Sequence, residues 1–177
     1  VMNDDGTVNR GKLPAIFNSE DRTALELALR FRDRFGGKIT VLTMGPPRAS
    51  DILRECLFMG ADEAVLVTDR KFAGADTLAT SYVLAQAVKK LGHVDLVFAG
   101  RQAIDGDTAQ VGPQCAEKLG LPQVTYVEEI RGYADGAIDV KRRIDGGYEL
   151  VRAKLPSLLT VIKDELIATV DAALDVD

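Results

Sequence analysis

Arg101, Gln102, Asp105, Asp107, Thr108 and Gln110 stand close together in the stretch DLVFAGRQAIDGDTAQVG, from Asp95 to Gly112. A planar guanidinium such as that of Arg101 pairs well with a phosphate. The Asp105 carboxylate can accept a hydrogen bond from a ribose hydroxyl. The pattern around these residues points the same way. Leu96, Val97 and Phe98, led in by Val94, form a short apolar run that suits a strand buried on both faces. Ala99 and Gly100 are small and let the backbone pass close to something. A polar loop follows, and a helical pattern runs on to Lys118, Leu119 and Gly120. Strand, small-residue turn, polar loop and helix start together make a place for a phosphorylated ligand, because backbone N–H groups and the helix dipole both favour an anion there.

Each of these residues also has a plainer role. Asp107 and Gln110 have the spacing of an N-cap and its N3 partner. Asp105 forms turns, and Arg101 suits a surface salt bridge. Loop aspartates do recruit Mg²⁺, but capping and turn formation account for both carboxylates, and no metal site is expected. His93 is the single histidine; it has no evident partner and is expected to be structural or at the surface.

Several chemistries are excluded by what is missing. No G-x-G-x-x-G follows a strand, so the standard dinucleotide fingerprint is absent. Gly11-Lys12 is followed by Leu13, which rules out a P-loop. There is no H-E-x-x-H, no C-x-x-C and no G-x-S-x-G. The net charge of -5 argues against a nucleic-acid surface, and an aromatic content of 6% without tryptophan argues against base-stacking platforms. Cys56 and Cys115 show no metal-like spacing and each falls in a helical pattern, which fits reduced thiols and a cytoplasmic location. No apolar run reaches the length of a bilayer span, and no signal-peptide pattern is visible.

The elements that must position the loop alternate between strand and helix. Residues 1–17 read as loop or a weak hairpin around Asp4-Asp5-Gly6. Asn18 or Ser19 caps a helix with Ala24, Leu25, Ala28, Leu29 and Phe35 as its apolar stripe, closed by Gly36-Gly37. Ile39, Val41 and Leu42 make a strand, Met44 to Pro47 a turn, and Arg48 to Met59 a helix with Ile52, Leu53, Cys56 and Leu57 inward. Ala64 to Val67 is a strand; Asp76 or Thr77 opens a helix whose inward face is Leu78, Tyr82, Ala85 and Val88. This order predicts βαβ units: an α/β, Rossmann-like open and mostly parallel sheet with helices on both faces. After Pro122 the rhythm changes. Val124–Ile130, Ala137–Ile144, Tyr148–Ala153 and Ser157–Lys163 read as an antiparallel strand extension, turned at Asp135-Gly136 and Asp145-Gly146-Gly147. The loops Met44–Pro47, Phe72–Thr77 and Gly100–Gly112 then share the carboxyl edge, where open α/β sheets bind ligands.

The residues also support a family resemblance. AGRQAIDGDTAQVGP at 99–113 resembles the signature loop of the electron transfer flavoprotein beta subunit. VLTMGPP at 41–47, MGADEAVLVTD at 59–69, FAGADTLATSY at 72–82, LGLPQVTYV at 119–127 and LPSLLTVIKDE at 155–165 extend the resemblance over nearly all of 8–163. It implies one nucleotide- or flavin-binding domain over 1–177, paired with a flavin-bearing alpha subunit and a partner dehydrogenase. Ordinary members hold AMP in the beta subunit. Electron-bifurcating members hold a second FAD there, and the 72–82 and 100–112 segments resemble that kind. Carried over position by position, the resemblance places the ligand against Gly100, Arg101, Gln102, Ala103, Ile104, Asp105, Gly106, Asp107, Thr108, Ala109, Gln110 and Val111, joined by Asn18, Met44, Gly45, Asp76 and Thr77. Gly106 to Gln110 would hold the phosphates; the Arg101 guanidinium itself suits either a phosphate or a reduced flavin anion. The implied function is electron carriage between dehydrogenases and an acceptor, with NADH-driven bifurcation as its stronger form.

Two departures from the family pattern stand out. The family's initial strand, with its Lys-x-Val-Pro-like loop, has no counterpart. Glu165 is followed directly by LIATVDAALDVD, which resembles an acidic tail found later in the family and implies a gap near Glu165–Leu166. That last segment has helical spacing at Leu166, Ile167, Val170 and Leu174, suited with the ribbon after Pro122 to an alpha-subunit interface. The alternative reading is a regulatory adenine-nucleotide module of the universal-stress type, without redox work. That class uses a glycine-rich loop ending in Gly-Ser, which is absent here.

Overall fold

The computed structural model describes residues 15–163. The hairpin expected around residues 4–8, the gap near Glu165 and the interface segment 166–177 lie outside them. Helix α1 (Ser19–Phe35) is capped by Asn18, whose side chain accepts from the Glu20 amide. Glu20 and Asp21 stand in its first turn and Arg32 and Arg34 in its last, as the helix dipole favours. Its buried face is Ala24, Leu25, Ala28 and Leu29, as expected from the spacing, while Phe35 at its end is only partly buried.

Strands β1 (Thr40–Met44) and β2 (Glu63–Val67) pair in parallel, Thr40 opposite Glu63 and Met44 opposite Val67. Between them a short 3₁₀ turn, Pro47–Ala49, leads into α2 (Ser50–Met59). The helix thus starts later than the expected Arg48, and Leu57 is 42% exposed while Leu53 and Cys56 are buried. Helix α3 (Thr77–Leu91) is capped by Asp76, whose carboxylate accepts from the Ala79 amide at 2.8 Å.

A second sheet runs β3–β7–β4–β5–β6. Its strands are β3 (Leu96–Gly100), β4 (Gln123–Ala134), β5 (Ala137–Ile144), β6 (Gly147–Lys154) and β7 (Ser157–Val161), with α4 (Val111–Leu119) between β3 and β4. The Asp135-Gly136 turn joins β4 to β5 with positive φ at both residues (54° and 69°), as a tight hairpin requires. β4, β5 and β6 form the antiparallel meander. The expectation for Ser157–Lys163 is corrected: β7 does not extend the ribbon. It crosses back and lies parallel to both β3 and β4, Leu158 opposite Val97 and Leu159 opposite Val124.

Helices cover both faces, and alternation along the strands shows it. Leu96 and Phe98 of β3, with Leu159 of β7, pack on the α1 side around Phe31. Val97 and Leu158 pack on the other side against Cys115 and Ala116 of α4. Val127, Ile138, Val140 and Leu159 are almost wholly buried, and each such side chain contributes about 1.5–3 kcal/mol by leaving water. Helix α1 also bridges the two sheets: Leu25 and Leu29 pack with Ile39, Val41 and Cys56. Among the described residues, no hydrogen-bonded ladder joins β1 to β3.

Candidate functional site

The carboxyl end of β3 is where the chemistry gathers, and two glycines make the approach possible. A Cβ on Gly100 would lie 2.6 Å from the Asp21 nitrogen and the Glu20 carbonyl carbon, so only glycine lets the start of α1 rest there. A Cβ on Gly112 would lie 2.7 Å from Thr160 Cγ2, so the start of α4 rests directly on β7. Both helix N-termini are thereby brought to one edge of the sheet.

Hydrogen bonds lock α1 to the loop after β3. The Gly100 amide donates to Asp21 Oδ1 at 2.8 Å. Asn18 Nδ2 donates to Asp21 Oδ2 at 2.7 Å and to the Gln102 carbonyl at 2.8 Å. Arg101 donates through Nη2 to Glu20 Oε1 at 2.9 Å, and its guanidinium carbon lies 5.9 Å from the Tyr126 ring centroid. Within the loop, Gln102 Nε2 donates to Asp107 Oδ1, and the Asp107 amide returns to the Ala103 carbonyl at 3.1 Å. Ala103, Ile104, Asp105, Gly106, Asp107 and Thr108 are all exposed.

The other side of the loop is tied to α3 and α4. Thr77 Oγ1 donates to Gln110 Oε1 at 2.8 Å, and Ser81 Oγ donates to Gln114 Oε1 at 2.9 Å. Ser81, with no exposure, lets α3 and α4 approach closely. That corrects the expected face of α3. Leu78 and Tyr82 point to solvent at 60% and 58% exposure, and Ser81 joins Ala85, which is buried as expected, on the inward face.

The expected Asp107 cap is also corrected. Asp107 and Ala109 take left-handed conformations (φ 52° and 53°), so the chain cannot be helical there, and α4 begins at Val111. Its N-cap position is Gln110, which supplies no side-chain cap. The N-termini of α1 and α3 are satisfied by Asn18 and Asp76. At the start of α4 the Val111 and Gly112 N–H groups, with Pro113 next in line and lacking one, have no side-chain acceptor from the cap residue and stand beside the exposed loop, an arrangement that suits an anion.

The structure therefore brings Asn18, Gly100, Arg101, Gln102 and Asp107 together, and ties Thr77, next to the Asp76 cap, to Gln110 beside Val111. Met44 and Gly45 lie at the end of β1, where the Gly45 amide donates to the Val67 carbonyl of β2 at 3.0 Å. Sequence reasoning missed Asp21, the Glu20 contact and Tyr126. The acidic first turn of α1 was a visible signal for the first two. Nothing in the sequence marks Tyr126, which takes φ 59° where β4 changes register against β7 between Val124 and Val127. His93 Nε2 lies 2.9 Å from Asp95 Oδ1 at the surface. Among the described residues no three His, Cys, Asp or Glu side chains gather as a metal site, and no helix is long and apolar enough to cross a membrane.

The described residues thus form an α/β sheet with a tied, exposed loop and an uncapped helix start at its carboxyl edge, where open sheets of this class place their ligand sites. The family model for the electron transfer flavoprotein domain matches residues 5–173, and the chain belongs to that family, on its beta-subunit side. It is 56% identical over 159 residues to the electron transfer flavoprotein subunit beta of Clostridium acetobutylicum, covering 90% of this chain and 61% of that one. It is 56% identical over 160 residues to the caffeyl-CoA reductase-Etf complex subunit CarD of Acetobacterium woodii, covering 90% and 61%. Protein FixA of Bradyrhizobium diazoefficiens is 52% identical over 163 residues, covering 89% and 57%. The chain spans about three-fifths of the length of these relatives.

Proposed function

We propose that this chain is the nucleotide-holding part of an electron transfer flavoprotein beta subunit. The edge formed by Asn18, Gly100 to Val111 and Asp76-Thr77 holds the adenosine phosphate of FAD or AMP, joined by Met44 and Gly45 from the end of β1. One observation carries this reading: the uncapped start of α4 beside the exposed Ala103–Thr108 loop, locked at both ends by Asn18–Gln102 and Thr77–Gln110. The phosphates lie against residues 106–110, where the backbone N–H groups and the α4 dipole favour negative charge.

The site fits such a ligand in charge as well. Arg101 Nε is buried without a hydrogen-bond partner beside this edge, and its guanidinium is the loop's cation. A bound flavin would supply the redox chemistry; the chain's residues orient it and set its electrostatic surroundings. Asn18 and Asp21 keep the loop in place, and Arg101 carries the positive charge offered to the ligand.

The whole protein then acts as a heterodimer with a flavin-bearing alpha subunit, in the cytoplasm, passing electrons from a dehydrogenase to an acceptor. FAD in this pocket makes NADH-driven bifurcation available; AMP makes the subunit an ordinary shuttle. The relatives named for CoA reductase complexes favour a place beside a reductase or dehydrogenase. An absorbance spectrum of the protein purified with its partner subunit tests the redox reading. Flavin bands in the partnered protein support it. Adenine nucleotide without any flavin would instead indicate the regulatory module.

A further inference from the structure

The Arg101 guanidinium is held from two sides, and neither hold is complete. On one side Nη2 reaches Glu20 Oε1 at 2.9 Å. A guanidinium and a carboxylate prefer two parallel hydrogen bonds. Here the two atoms able to close a second one, Arg101 Nε and Glu20 Oε2, are buried and without hydrogen-bond partners. Polar atoms left so are costly, and the two side chains are only 32% and 18% exposed. On the other side stands the ring of Tyr126 at 5.9 Å. Its backbone is left-handed at a register shift of β4, and its amide donates to Thr160 Oγ1 at 3.2 Å. Irregularities of this kind re-aim a side chain next to functional sites.

We propose that Glu20 is a positioning residue that tethers and neutralises Arg101. The ligand then meets a restrained cation, which turns from Glu20 toward the phosphate as the anion arrives. The half-made fork is what allows the turn, since leaving Glu20 breaks one hydrogen bond rather than two. The proposal rests on the reading of this edge as an adenosine-phosphate site.

The test uses the intact protein with its partner subunit, after removal of bound nucleotide, and calorimetric titration with AMP and with adenosine. In Glu20→Gln the amide oxygen still accepts from Nη2 while the charge is gone, so the fold is retained. AMP affinity is expected to rise about three- to tenfold, with adenosine affinity unchanged. In an Arg101→Gln background the same substitution is expected to change neither. Unchanged or weaker AMP binding in Glu20→Gln overturns the proposal. So does an equal gain for adenosine, or a gain that survives Arg101→Gln. If the unaltered protein binds neither compound and does not take up FAD at this edge, the nucleotide-site reading itself fails and takes this proposal with it.

Discussion

The Asp21 carboxylate receives the amide of Gly100 at 2.8 Å and the side chain of Asn18 at 2.7 Å, and so fixes the start of α1 to the end of β3. A residue from one end of the described chain thereby sets the position of a loop far along it. The contact leaves no room for a Cβ at position 100.

Gly100→Ala therefore forces backbone, not a flexible side chain, to move. The expected loss is about 1–3 kcal/mol or more, the range for overpacking a tight site, with weakened nucleotide binding because α1 and the loop separate. Chemical denaturation together with AMP titration checks both.

At position 112 the obstacle is a methyl group, Thr160 Cγ2. Gly112→Ala is expected to cost about 1–3 kcal/mol. Thr160→Ser removes that methyl yet keeps the hydroxyl that accepts from the Tyr126 amide. The double variant should recover most of the loss, which a thermal melt of the four proteins measures. Additive losses would place the strain elsewhere.

Asn18 works through both ends of its amide: its oxygen caps α1 and its nitrogen reaches Asp21 and Gln102. Asn18→Ala is expected to cost about 1 kcal/mol in stability. Asn18→Asp is the sharper test. It keeps a good cap but cannot donate to Gln102, and it sets two carboxylates side by side. Nucleotide affinity should fall in the aspartate variant at least as far as in the alanine variant.

Burial pushes the Cys115 thiol up to about 11, against a smaller opposing effect of Lys118. The unfolded chain releases this proton near 9.0 while the folded chain keeps it to about 11. Across that window the unfolded state binds fewer protons, so stability falls as pH rises. Unfolding of the wild type and Cys115→Ala at pH 8 to 11 should show the wild type losing more. Parallel pH profiles would contradict the assignment.

Local signals carried much of the fold. The α1 stripe, the Asp135-Gly136 turn and the strand into Gly100 follow from periodicity and turn chemistry within a few residues. What failed depended on distant partners. The place of β7 between β3 and β4 is set by long-range pairing that no local pattern encodes. The face of α3 turned on Ser81, a small polar residue made an interior one by Gln114 of α4. Asp107 looked like a cap because Asp at that spacing usually is one; its left-handed backbone removed the choice. The candidate site was legible only as a loop, while the residues that contact it, Glu20, Asp21 and Tyr126, came from elsewhere in the chain.

The most direct test of the central claim is a count of nucleotides. The intact protein, purified with its alpha subunit, is denatured and the released FAD and AMP are quantified per heterodimer. The account predicts two adenine nucleotides, one of them from the edge at Gly100 to Val111: two FAD for the bifurcating form, or one FAD and one AMP for the ordinary shuttle. A single FAD with no second nucleotide would contradict it.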